Sequence, residues 1–129
     1  MGERHKDYQT LHDLIIQTAF NNLDKINHDV YINPNSQKNT SVSGLYPDII
    51  ITEKGIKDVK FIIEVETQDS INQNEIPQWE EFSKLGGHFY LLVPKNMKDT
   101  AEILCRQNNI KARVGTYSVD NSNVIIKYD

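Results

Sequence analysis

Two stretches suited to strands stand on either side of a glycine-containing turn. Ile49-Ile50-Ile51-Thr52 and the seven-residue run from Val59 to Val65 are rich in β-branched and aromatic residues. Between them, Glu53-Lys54-Gly55-Ile56-Lys57 supplies the glycine of a hairpin loop. Side chains alternate along a strand, so Val59, Phe61, Ile63 and Val65 form one wholly apolar face that belongs in a core. Lys60, Ile62, Glu64 and Glu66 share the opposite face. A hairpin with such a face needs further layers of structure packed against it.

The rest of the chain supplies those layers. Tyr8, Leu11, Ile15, Ala19, Leu23 and Ile26 recur at helical steps and predict a helix from residue 5 to about 27. Val30-Tyr31-Ile32 reads as a short strand within Asp29–Asn33, followed by a long polar segment, Asn33 to Ser43, expected to be an exposed loop or functional flap. Strands are placed at 47–52 and 58–67. Pro77 stands in the first turn of a helix carrying Ile76, Trp79 and Phe82, which Gly86-Gly87 stops. His88 to Val93 is an apolar strand expected to be covered on both faces, and 98–109 is a helix with Ala101, Leu104 and Cys105 inward. Strands at 112–119 and 123–128 close the chain around Asp120-Asn121-Ser122. The order α-β-β-β-α-β-α-β-β predicts a single α/β domain over 1–129. The crossover through 58–93 makes those two strands parallel, while the hairpin adds antiparallel pairing, giving a mixed sheet with helices on its faces.

Composition narrows the function classes. One cysteine, Cys105, excludes an internal disulfide framework and a cysteine-rich zinc site. No stretch approaches the ~20 apolar residues of a membrane span, and the polar start of the chain shows no signal core, so a cytoplasmic location is expected. A net charge of −4, with the lysines and arginines scattered, argues against tight binding to nucleic acid through a basic stripe. Carboxylates destined for a cation are counted as negative until it arrives, and folding can gather scattered lysines on one face.

The acidic residues at the strand ends require a reason. From Gly55, Asp48 lies about seven residues back and Glu64 about nine forward, a difference that a bulge absorbs. Asp48, Glu64 and Glu66 are therefore expected to gather, and three close carboxylates repel one another unless a hard cation sits among them. Magnesium needs only one or two carboxylates besides water and phosphate, and manganese also suits oxygen ligands.

Pro47-Asp48 followed by Glu64-Val65-Glu66, and then by the helix and strand of 76–93, resembles the PD-(D/E)XK nuclease superfamily. With the leading helix, the resemblance covers about three quarters of the chain. It implies a restriction endonuclease-like three-layer sandwich, Mg2+ (or Mn2+) as cofactor, and hydrolysis of phosphodiester bonds in DNA. Carried over, Asp48, Glu64 and the carbonyl of Val65 bind the metal. Glu66 replaces the family's lysine, and some active members carry glutamate there, so Glu66 is expected as general base or further ligand. Lys60 or Lys84 are alternative sources of a lysine. Gln78 and Phe82 are similar to the family's Gln-x-x-x-Tyr signature without the phenol, Gln78 then orienting water or phosphate. Glu3 and Asp13 are candidates for an acidic residue on the first helix.

Other residues leave two readings open. Trp79 and Tyr90 either stack on bases or pack in the core. The four histidines show no ligand spacing and are expected on the surface or as accessory groups. Thr67 and Asp69 either shape the exit of the acidic strand or cap a loop, and Cys105 reads as a small core residue. The two functional expectations are a metal-dependent nuclease and a catalytically inactive nuclease-fold module that binds nucleic acid or protein. A chain of this size is expected to gain specificity as a homodimer or as a subunit of a larger complex.

Overall fold

The computed structural model describes residues 6–34, 38–121 and 123–128. Its elements follow the expected order: α1 (Lys6–Asn22), β1 (His28–Ile32), β2 (Ile49–Glu53), β3 (Val59–Val65), α2 (Ile76–Ser83), β4 (His88–Pro94), α3 (Lys98–Gln107), β5 (Arg113–Asp120) and β6 (Asn123–Lys127). Short 3-10 turns at Gln73–Glu75 and Lys95–Met97 lead into α2 and α3.

The six strands form one sheet in sequence order. β3, β4 and β5 pair in parallel, and the outer strands pair antiparallel. Parallel neighbours need crossovers, which α2 and α3 supply. Alternation along the strands then builds two cores. Ile15, Ile16 and Ala19 of α1 pack on Ile49, Ile51, Ile63, Val65 and Leu92. Trp79 and Phe82 of α2 and Ala101 and Cys105 of α3 pack on Ile62, Leu91 and Val93. The sheet is thus mixed, with α1 on one face and the other two helices on the opposite face. Leu91, Leu92 and Val93 are fully buried, as expected for a strand covered on both sides.

The end of α1 differs from the sequence reading for a local reason, and the hairpin carries the expected bulge. α1 stops at Asn22 rather than near 27. The Asp24 side chain accepts the amides of Ile26 and Asn27, and the Lys25 ammonium donates to the Phe20 and Leu23 carbonyls. Those bonds cap the helix and turn the chain, leaving Ile26 85% exposed instead of on an apolar stripe. In the hairpin, Ile51 faces Phe61 but Thr52 faces Val59, so a bulge forms around Lys60. It moves Val59 off the face of Phe61 and into the core beneath α2 and α3. No helix among the described residues is long and apolar enough to cross a membrane.

β4 starts under a tight constraint. Gly87 has φ +70°, and a Cβ there would lie 2.6 Å from the Lys60 carbonyl oxygen, so the glycine lets β4 run against β3.

Candidate functional site

The acidic residues lie at the carboxyl end of β3, where ligands of open α/β sheets collect. Because Ile49 stands opposite Ile63, the next step outward sets Asp48 beside Glu64. The bulge is what makes that register close. The two strands then clasp each other: the Asp48 amide donates to Glu64 Oε1 at 2.8 Å, and the Val65 amide donates to Asp48 Oδ2 at 2.8 Å. Both carboxylates are almost fully buried, Asp48 at 3% and Glu64 at 1% exposure. Bonds from amides to charged oxygens are short and directional, so they set where the carboxylates lie.

α1 contributes a residue that the sequence reading placed on the surface or among accessory groups. His12 is completely buried, with Nε2 2.9 Å from Asp48 Oδ2 and Nδ1 3.2 Å from Asp13 Oδ1. Each ring nitrogen thus lies within hydrogen-bond reach of a carboxylate oxygen. The signal was present in the helical spacing: His12 stands three, four and seven residues before Ile15, Ile16 and Ala19, which all face the sheet. A polar residue on a buried stripe needs a partner, and Asp48 is it.

Glu66 does something different. It is fully buried, and both carboxylate oxygens are held: Ser70 Oγ donates to Oε1 at 2.7 Å and Trp79 Nε1 donates to Oε2 at 2.7 Å. The Tyr117 hydroxyl donates to the Glu66 carbonyl at 2.7 Å, tying β5 to the end of β3. Ser70 is positioned by a tight turn, its own amide donating to the Thr67 carbonyl and its side chain accepting the Thr67 amide. Thr67 Oγ1 in turn donates to Asp69, so these two residues shape the exit from the strand. Sequence patterning did not reveal Ser70 or Tyr117 as partners. Trp79 is fully buried with its only polar atom used, which settles it as a core residue with no face for a base.

The remaining candidates scatter. Lys60 pairs with Glu53 at 2.8 Å, and this contact holds the Glu53 carboxyl below its ordinary range. Lys84 pairs with Glu80 at 3.4 Å on the exposed side of α2. Neither bond reaches the acidic pair. Gln78 is half-buried on α2, and its Oε1 has no hydrogen-bond partner among the described residues. Phe82 packs against Phe89, ring centres 6.2 Å apart, and Tyr90 packs against Phe61 and Tyr128. Cys105 is buried, and its thiol is pushed up to about 11, chiefly by burial, with the Glu102 charge adding to it. Glu3 and His5 lie outside the described residues, as does the centre of the 33–43 loop. The described parts of that loop are organised by Asn33, whose side chain bonds Thr40 and Pro47 carbonyls and the amides of Asn39 and Thr40.

The donor chemistry suits a hard cation in a narrower form than the sequence suggested. Asp48 and Glu64 offer carboxylate oxygens, and the Val65 amide faces Asp48, a side of the strand that its carbonyl shares in a regular ladder. Two carboxylates and a carbonyl are enough for a magnesium-type ion. No group of three His, Cys, Asp or Glu side chains among the described residues is arranged to hold a metal. Glu66 is committed to Trp79 and Ser70. Comparison with protein-family models, curated proteins and solved structures returns no match to this chain.

Proposed function

We propose that this chain is a metal-dependent nuclease-like protein with a restriction endonuclease-like sandwich, hydrolysing phosphodiester bonds in DNA. The observation that carries the proposal is the reciprocal Asp48–Glu64 clasp at the carboxyl end of β3, with Val65 between the acidic residues. Asp48, Glu64 and the Val65 carbonyl would hold Mg2+ or Mn2+, which supplies Lewis acidity and neutralises charge on the phosphate. His12 holds Asp48 in orientation, as outer partners of metal ligands do. Glu66 braces the end of β3 through Trp79 and Ser70 in place of the base role that the motif alone suggests. Gln78, with an unsatisfied acceptor, is an accessory polar group for water or phosphate. A second copy of the chain or a partner subunit would add specificity, and a mass by light scattering above one chain checks that.

Calorimetric titration with manganese tests the site. Saturable binding that is lost in Asp48→Asn and Glu64→Gln, variants that keep side-chain volume, supports it. Native protein that takes up no manganese, and leaves supercoiled DNA intact with manganese or magnesium, rejects it.

A second reading is favoured by one observation. The motif's lysine position holds a buried glutamate, and the two candidate lysines are engaged elsewhere, Lys60 with Glu53 and Lys84 with Glu80. A catalytically inactive module that binds nucleic acid or protein would look the same. Binding of DNA without metal-dependent turnover identifies it.

A further inference from the structure

A depression of about 620 Å3 is used by none of the roles above. Its walls come from Tyr8 and Leu11 of α1, Tyr117 and Val119 of β5, and the Pro94-Lys95-Asn96 segment after β4. Most of the lining is apolar, and Val119 is 48% exposed within it. Small-ligand pockets span ~300–1,000 Å3, are mostly apolar, and carry a few polar groups at the rim.

Two features tie this cavity to the acidic pair. Tyr8 precedes His12 by four residues, just over one helical turn and about 6 Å along the axis, and His12 is bonded to Asp48. Tyr117 lines the cavity while its hydroxyl holds the carbonyl of Glu66, two residues beyond Glu64. A second depression of about 410 Å3 shares Lys95 and Asn96 with the first and is also lined by Lys98, Lys127 and one acidic residue, Asp99. Lys95 and Lys127 form no ion pair with any described residue. Folding thus sets Lys127 of β6 beside Lys95 and Lys98 in a net-negative chain, next to an apolar, tyrosine-bearing pocket.

We propose that an unpaired polynucleotide strand lies along this surface, with one unstacked base in the Tyr8–Tyr117–Val119 pocket and its phosphates over Lys95, Lys98 and Lys127. Bases without partners bury an apolar face and keep a charged backbone, which matches an apolar pocket that shares its Lys95-Asn96 edge with a lysine-lined depression. A stacked duplex cannot place a base there without first opening. The preference is therefore for single strands, frayed ends or flaps over intact duplex. It rests on the nuclease reading for its purpose, and not for its binding energy.

The test is fluorescence anisotropy of a labelled fifteen-nucleotide oligothymidylate, with the oligouridylate and a duplex of equal length, in chelator so that no cation contributes. Single strands are expected to bind at least about tenfold tighter than duplex. Their relative affinity as DNA or RNA tells which polymer the site prefers. Lys95→Glu combined with Lys127→Glu, both on exposed positions, should weaken binding more than tenfold and lower the salt slope by about 1.4. Tyr8→Ala should cost about five- to a hundredfold, with a smaller loss on an abasic strand. Equal affinity for duplex and single strand, or binding unchanged in the double lysine variant, overturns the proposal. Strand binding without metal-dependent cleavage would sustain it while removing the nuclease reading. Metal-dependent cleavage without strand binding would do the reverse.

Discussion

Replacing Trp79 by phenylalanine separates a brace from a base at Glu66. The substitution keeps an aromatic ring but removes the indole N–H that donates to Glu66 Oε2 at 2.7 Å in a fully buried site. A hydrogen bond to a charged group contributes about 1.5–3 kcal/mol, and its loss leaves a carboxylate oxygen without water or donor. Roughly three ring atoms also vanish from the core, worth about 2 kcal/mol at ~0.8 kcal/mol per methylene-sized group. The total is about 3–5 kcal/mol against a stability of the order of 5–15 kcal/mol. Urea denaturation measures it directly: at about 1.5 kcal/mol per molar, the midpoint should fall by roughly 2–3 M. A double-mutant cycle with Glu66→Gln isolates the charged part, expected at about 1 kcal/mol or more of coupling. Coupling within about 0.3 kcal/mol of zero would refute the reasoning and return Glu66 to the pool of groups able to act on water.

Further outcomes follow from individual contacts. His12→Leu should weaken manganese binding by about 10–100-fold by releasing Asp48, as loss of an outer partner does, and unchanged calorimetric affinity would count against that role. Gly87→Ala places a methyl 2.6 Å from the Lys60 carbonyl at a positive φ, so a loss of about 2 kcal/mol or more is expected by thermal melting, and a wild-type melting curve contradicts it. Cys105, with its thiol pushed up to about 11, should resist iodoacetamide at pH 8 in the native protein and react after unfolding; rapid native labelling, read by mass spectrometry, would disprove its burial. Asp29 is held low chiefly by the Gly55 amide and Glu53 by Lys60. Their contributions are present above the ordinary carboxylate range and lost as pH falls through the lowered values, so urea midpoints should decline below about pH 4, less steeply in Glu53→Gln.

Much of the fold was legible because it follows from short-range periodicity. The triple isoleucine of β2, the alternation of β3 and the apolar run of β4 each declare a strand within a few residues. The glycine turn around Gly55 limits the hairpin to a narrow set of registers. The offset between Asp48 and Glu64 even required a bulge, and the structure places it around Lys60. Helix ends were less legible. The stop at Asn22 depends on the Asp24 and Lys25 side chains bonding backbone groups, a competition that an apolar stripe does not register.

The candidate site divides along the same line. The order of elements and the pairing of Asp48 with Glu64 were determined by the sequence itself, since both depend on alternation and turn length over fewer than twenty residues. Only tertiary structure decided what each acidic group faces. Glu64 and Glu66 look alike in the strand, yet one meets the Asp48 amide while the other meets Trp79 and Ser70. His12 reaches Asp48 across 36 residues, and Tyr117 reaches Glu66 across 51. A buried carboxylate takes its character from whichever donors the packing of α1, α2 and β5 delivers to it, and periodicity along one strand carries no record of them.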